Sequence, residues 1–386
     1  MTQENAYLSE EVEMLRQQLR RFVESEVAPH GEDWEREGQV PRQIFRQMGG
    51  LGFLGIRYPE AYGGAELDTL ASVVFAEELG RSSFGGFAAG VLVHTDMASP
   101  HLARNGSPEQ LQRYMPGIVA GEIITAIAVT EPDAGSDVAA IRTRAVKDGN
   151  GWRLNGAKLF ITNGDVADLL LVFGKWTEIE DARGAITAIV VEKGAPGLSV
   201  GRKEGKMGHR ASSTVALAFD GCRVPRANLL GAPGQGLAIL LAALNTSRPS
   251  IAAHALGIAT AAFTDMVAYM NQRAQFGRKI VDFQGNQFLL ADLAAELAMC
   301  EAWLDHVAAL IDAGENDIAL EASIAKLRAS DLAMRMTTEA VQMHGGYGYC
   351  TDLRVERLMR DAKITQIWEG TNQIHRQLIG RSFRAR

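Results

Sequence analysis

The sequence predicts an α+β chain of three parts. These are an N-terminal α-helical domain over residues 1–120, a middle β-barrel or sandwich domain over 121–231, and a C-terminal four-helix bundle over 232–386. Three observations predict it. Apolar residues recur at helical spacing in the first stretch, and the pattern switches to period two with short apolar runs in the second. The third stretch carries long segments rich in Ala, Leu and Met.

In the first part, Val12, Leu15, Leu19, Phe22, Val23 and Val27 fall on one helical face, and Pro29 marks the stop. A second helix is expected over Pro41–Leu54, ended by Gly55 and the turn-rich stretch from Tyr58 to Gly64. Leu67–Leu79 and Phe87–Ala103 give two more, and Ser107-Pro108 opens a helix through Tyr114 as cap and first-turn proline. In the second part strands are expected at Ile123–Thr130, Arg142–Val146, Trp152–Leu154, Leu169–Phe173, Ile186–Val191 and Thr214–Phe219. Asp148-Gly-Asn-Gly151 reads as a hairpin turn between two of them. In the third part, helices are expected over Leu237–Met270, Asn286–Ala313 and Asp317–His344, with a last one after Glu369.

The totals bound the function. With 386 residues, 47% of them apolar, the chain can bury a sizeable core. The 46 acids and 39 bases leave a net charge of −7, which gives no basic footprint for nucleic acid at the whole-chain level. Cys222, Cys300 and Cys350 have no metal-ligand spacing, and an odd, sparse set fits a reducing compartment. The polar start MTQENAYLSEEVEM has no apolar signal region, and no uninterrupted apolar run reaches about 18 residues, so no membrane-spanning helix is expected. The expectation is a cytoplasmic protein with no nucleic acid, membrane or metal partner.

Five segments carry the chemistry. In MRDAKITQIWEGTNQIHR, Met359 to Arg376, Glu369 stands between Trp368 and Gly370 just before a helix that Thr371 would cap. A lone Glu there is ordinarily a solvated first-turn charge favoured by the helix dipole. Burial beside an aromatic would instead raise its pKa toward that of a working base. TEPDAGSD, Thr130 to Asp137, is a loop that ordinarily just turns the chain, yet it can present hydroxyls and backbone N–H groups to a planar polar ligand. NGAKLFITNG, Asn155 to Gly164, reads as a hairpin with a Gly turn. Arg273-Ala-Gln-Phe-Gly277 places an Arg after a helix, where it complements the dipole. Gln342-Met-His-Gly-Gly346 reads as a helix C-cap at Gly345 or a close approach of backbone to a nucleotide. His94 and Thr95 are the polar members of a buried helix, and a lone His there is more often a satisfied core residue.

Together, in this order from Thr130 to Gln373, the segments strongly resemble those of the acyl-CoA dehydrogenase family, of short- or medium-chain type. The resemblance spans the whole chain. It implies an FAD cofactor and an acyl-thioester substrate, dehydrogenated between its α and β carbons to a trans-2-enoyl product. Glu369 would remove the α-proton while the β-hydrogen passes to the flavin as hydride. By the same resemblance Ile127, Ala128, Val129, Thr130, Ser136, Phe160 and Thr162 contact the flavin side of the site. Arg273, Gln275, Phe276 and Gln284 reach the FAD of a neighbouring subunit, joined by Gln342, Gly345 and Gly346 on its adenosine side. Thr371 and Gln373 offer donors at a helix N-terminus. Ser136, Asn245, Arg248 and Gly370 are implied as substrate contacts.

The pattern departs from many relatives at Asp133, at Phe160, where Trp is common, and at Asn245, where some have a carrier-contacting Asp. Ser247 occupies the position of an alternative base and cannot serve as one. The resemblance further implies a homo-oligomer, at least a dimer and usually a tetramer, and reoxidation by an electron-transfer flavoprotein. Two alternatives stay open. One is a dehydrogenase acting on acyl-carrier-protein thioesters in a biosynthetic pathway. The other is a redox-silent or nucleic-acid-binding relative that uses the fold as a scaffold.

Overall fold

A computed structural model describes residues 9–179, 185–315 and 317–384. The first eight residues of the polar start lie outside them. Side-chain caps set where the early helices begin. The Ser9 hydroxyl accepts from Val12 N at 3.3 Å to start α1, Glu10–Phe22, which runs on through a π turn, Val23–Val27. Two short helices, α2, Gly31–Glu37, and α3, Arg42–Gly50, follow. The Asp68 carboxylate accepts from Ala71 N at 2.8 Å to start α4, Thr69–Arg81. The single helix expected over Phe87–Ala103 is α5, Gly85–Leu92, a π turn, Val93–Ala98, and α6, Ser99–Asn105, in unbroken succession. A reciprocal Ser107–Gln110 capping box opens α7, Pro108–Val119, one turn longer than expected.

The middle strands are β1 Thr125–Ala128, β2 Arg144–Asp148, β3 Gly151–Thr162, β4 Leu169–Trp176, β5 Ile186–Glu192, β6 Leu198–Lys203, β7 Thr214–Pro225 and β8 Leu229–Leu230. They form one sheet in the order β6-β7-β3-β2-β4-β5-β8, with β1 pairing parallel to β4. The hairpin at Asp148–Gly151 joins β2 and β3 antiparallel, as the turn residues imply. Alternation along β4 serves two cores. Leu169, Leu171 and Phe173 pack with Leu102, Tyr114 and Ile118 of the helical part. Leu170, Val172 and Trp176 pack with Leu154, Val215 and Phe219, a core the sheet wraps around itself.

Helices then return: α8 Gly236–Gln272, α9 Gln284–Asp312, α10 Ala319–His344, the short α11 Gly346–Tyr349, α12 Val355–Thr365 and α13 Asn372–Ser382. A small ribbon, Ala274–Gln275 with Arg278–Lys279, joins α8 to α9. By length and a mean hydropathy of 1.4, α8 could cross a membrane, which the count of uninterrupted apolar residues did not show. Arg248 and Thr246 interrupt its run, and 67% of its most apolar window is buried in the protein. Its α4 crossing is close: a Cβ on Gly257 would meet the Glu77 carbonyl at 2.0 Å, and one on Gly80 the His254 carbonyl at 2.3 Å.

Candidate active site

The turn between α12 and α13 is unusual. Glu369 (φ +52°) and Gly370 (φ +92°) are both left-handed, and for a glutamate that conformation costs on the order of 1–3 kcal/mol. Hydrogen bonds on all sides hold it. Trp368 N donates to the Ile364 carbonyl at 3.0 Å, and Asn372 N to Gln366 O at 3.0 Å. His375 Nε2 donates to the Glu369 carbonyl at 3.2 Å, and Lys326 Nζ to the Gly370 carbonyl at 2.7 Å. Thr371 caps α13, its hydroxyl accepting from Ile374 N at 3.3 Å, as its position in the sequence implies.

The strain aims the Glu369 side chain at α8. There Ser247 Oγ donates to Glu369 Oε2 at 2.7 Å. Burial raises the carboxyl pKa above its ordinary value. The Ser247 bond and the charges of Arg248 and Lys326 oppose that rise, and Asp96 adds to it. One turn further along α8, Ser250 Oγ donates to Asp96 Oδ1 at 2.6 Å, so α8 offers a hydroxyl to each of two carboxyls on one face. Arg248 is buried, reaches Asn245 Oδ1 at 3.4 Å, and leaves its Nε without a partner among the described residues. The Trp368 ring meets His209 at 5.2 Å and His254 at 6.0 Å, and its buried Nε1 has no partner among the described residues.

The two segments of the sheet expected to face a flavin are joined by a buried ion pair. Lys158 Nζ donates to Glu131 Oε1 and to the Val129 carbonyl, both at 2.8 Å. Glu131 also accepts from Thr143 N at 2.9 Å, and Leu159 N donates to the Thr130 carbonyl at 2.9 Å. This ties Ile127–Thr130 to the strand carrying Phe160 and Thr162. Beside it β3 bulges against β7: Phe160 takes φ +60° and stays 60% exposed, an aromatic ring presented at the surface at a conformational cost. Thr162 Oγ1 lies 3.4 Å from Thr214 Oγ1, and the neighbouring Ser213 Oγ is buried without a partner among the described residues. Ser136 is exposed on the loop. The segment between β6 and β7 bridges this region to the base: Lys206 Nζ donates to Thr214 Oγ1 at 3.2 Å, and His209 packs on Trp368. An exposed aromatic, one unpaired hydroxyl and an unpartnered indole N–H suit a large planar cofactor with polar edges.

Other expected residues lie elsewhere. Arg273 follows the end of α8, and at 1.5 Å rise per residue it is about 39 Å along the helix from Ser247. Gln275 and Phe276 share its exposed connection to α9, and Gln284, also exposed, is the first residue of that helix. Gln342, Gly345 and Gly346 end α10, and the Tyr269–His344 stack, 4.3 Å between centroids, brings that turn to the same end of the bundle as Arg273. Thr371 and Gln373 begin α13 beside Glu369, Gln373 exposed. The sequence reading missed Ser247 as a partner of the base, and also Asp96, Glu131, Lys158 and Lys326. Their partners lie 27 to 154 residues away, with no local pattern to signal them.

Comparison with known proteins decides the family. Residues 9–122, 126–222 and 234–383 match the N-terminal, middle and C-terminal domains of acyl-CoA dehydrogenase. The chain belongs to the acyl-CoA dehydrogenase family. It is 44% identical over 377 residues to an acyl-CoA dehydrogenase of Bacillus subtilis, covering 97% of this chain and 98% of that one. Its structure matches that of an acyl-CoA dehydrogenase from Geobacillus kaustophilus with a TM-score of 0.94 at 40% identity, over 98% of this chain and 100% of the other. A glutaryl-CoA dehydrogenase from Mycobacterium smegmatis, solved in complex with FADH2, matches at 0.91 and 29% identity, over 97% and 95%. An acyl-CoA dehydrogenase is an FAD-dependent oxidoreductase, so the chain is an enzyme of that class with FAD as its cofactor.

Proposed function

We propose that this acyl-CoA dehydrogenase removes the α-proton of a short or medium acyl-CoA with Glu369, giving a trans-2-enoyl-CoA. The observation that carries the reading is the Glu369 carboxyl, held in a left-handed turn and bonded by Ser247, its pKa raised by burial. A desolvated carboxylate at fixed reach of an acidified C–H is what proton abstraction requires. FAD, when bound, accepts the β-hydrogen as hydride. Ile127–Thr130, Phe160 and Thr162 would hold the flavin, and the Thr162 hydroxyl would stand beside its acceptor edge. Ser136, Asn245, Arg248 and Gly370 would hold the thioester and its carrier. Coenzyme A is preferred to an acyl-carrier protein because the matched family and relatives are named for CoA esters.

The separation of Arg273 from Ser247 supports a homo-oligomer in which Arg273, Gln275, Phe276, Gln284, Gln342, Gly345 and Gly346 serve a neighbouring subunit's FAD. An electron-transfer flavoprotein as acceptor and a cytoplasmic location complete the reading. The test is anaerobic bleaching of flavin absorbance by a panel of acyl-CoAs, in wild type and in Glu369→Gln. The expected result is rapid bleaching by one chain length and none in the variant. Bleaching that persists in Glu369→Gln would show that another group is the base.

A further inference from the structure

Lys326 lies on α10, 43 positions before the base, and has no exposed surface. Its neighbours Ala325, Ala329 and Leu332 are core residues. A lysine on such a face is rare, because desolvating an ammonium is costly and an apolar side chain of similar volume would be cheaper. Its bonds show what it does there. Nζ donates to the Gly370 carbonyl at 2.7 Å and to Asn372 Oδ1 at 3.0 Å. Both acceptors are neutral, so among the described residues no carboxylate contacts it directly. Ser330 and Asp331, one turn on, grip the same Asn372: its Nδ2 donates to Ser330 Oγ at 2.9 Å and to Asp331 Oδ1 at 2.7 Å. The α10 face carrying Lys326, Ser330 and Asp331 thus clamps Gly370, the second residue of the strained Glu369–Gly370 pair, and Asn372, the first residue of α13.

We propose that Lys326 is a positioning residue for the base. It fixes the left-handed turn that aims Glu369 and sets a positive charge near the carboxylate. This rests on Glu369 being the base.

The electrostatics agree with the geometry. Burial pushes the Lys326 pKa down to about 7, and the Glu369 charge resists that fall. Reciprocally, Lys326 helps hold Glu369 ionised. The other charged or titratable groups that act on this ammonium are Arg248 from α8, Asp331 from its own helix and His375 from α13. A neutral Lys326 still has two N–H donors for its two acceptors. The clamp therefore survives its titration while the charge does not.

The experiment measures anaerobic flavin bleaching by an acyl-CoA that reduces the wild type, per bound flavin and across pH. It compares wild type, Lys326→Met, Lys326→Gln and Glu369→Gln, with FAD content and thermal midpoint for each. Lys326→Met should bind FAD and bleach roughly 10- to 100-fold more slowly, the range a small misplacement of a reacting group produces. Its acidic limb should move to higher pH. Lys326→Gln keeps a donor without the charge. It should recover part of the rate and leave the limb displaced. A merely structural lysine would lower the midpoint and FAD content while leaving both the rate per bound flavin and the limb at wild-type values, and that outcome overturns the proposal. If Lys326→Met does not fold, the limb of Lys326→Gln decides. Glu369→Gln separates the two readings. Bleaching in that variant removes the base assignment, whereas an inert Glu369→Gln beside a wild-type Lys326→Met removes only the role of Lys326.

Discussion

Ser247 is the residue that most directly sets the protonation of the base. Its hydroxyl donates to Glu369 Oε2, and donation to a carboxylate favours the charged form. Ser247→Ala removes that donor and leaves burial less opposed, so the already raised Glu369 pKa rises further. The sign follows: a base must be ionised to act, and its acidic limb moves to higher pH. On the acidic limb the variant should turn over more slowly than wild type, with the difference shrinking as pH rises. A pH profile of bleaching rate checks this, and an unmoved limb would show that Ser247 contributes nothing to the base. In the sequence Ser247 could be read only as an amino acid unable to be the base. Its partnership with a residue 122 positions away depends on how α8 crosses the α12–α13 turn, which no local spacing encodes.

At the scale of elements, the flavin-side surface depends on β3 keeping hold of the loop after β1. Lys158 and Glu131 are the buried fastening, and Glu131 has its pKa lowered: burial would raise it, but Lys158, Thr143 and Arg142 outweigh that. Burial pushes the Lys158 pKa down to about 8, which leaves the pair mostly ionised at neutral pH. Lys158→Met deletes the cation and leaves a buried carboxylate unpaired, a change that typically costs roughly 3–5 kcal/mol. Urea unfolding should show a loss of that order, together with lower FAD content. A variant as stable and as yellow as wild type would remove the pair from the account. TEPDAGSD and NGAKLFITNG stand out in the sequence as two separate segments, with no sign that a buried ion pair joins them. The second is not the hairpin its Gly suggests: one strand, β3, runs through it, read in the sequence only as Trp152–Leu154 because its bulge and its polar outward residues break the period-two pattern. β6 was missed for a related reason, being largely exposed and carrying no buried alternation. α12 was missed because its charged residues obscure the apolar stripe of Val355, Leu358 and Ala362.

For the whole molecule, the three-part order was legible because each part changes its hydrophobic period. How many copies assemble was not, since an interface between copies leaves no period of its own. The connection after α8 and the turn after α10 share one end of the bundle, where Phe276 is 93% exposed in a left-handed conformation and Tyr347 and Tyr349 are also exposed. Large aromatics held outward at a strained position gain by being covered. A second copy covering this end would bring Arg273 and Gln275 to a site they cannot reach within their own chain. Phe276→Asp should therefore lower the mass in solution and the FAD content together, while Arg273→Ala should keep the mass and weaken FAD retention alone. Light scattering after gel filtration, with flavin absorbance on the same peak, measures both. A wild-type protein that runs as a monomer and still holds FAD would remove the shared site. Phe276→Asp with unchanged mass and flavin would place the contact on another face.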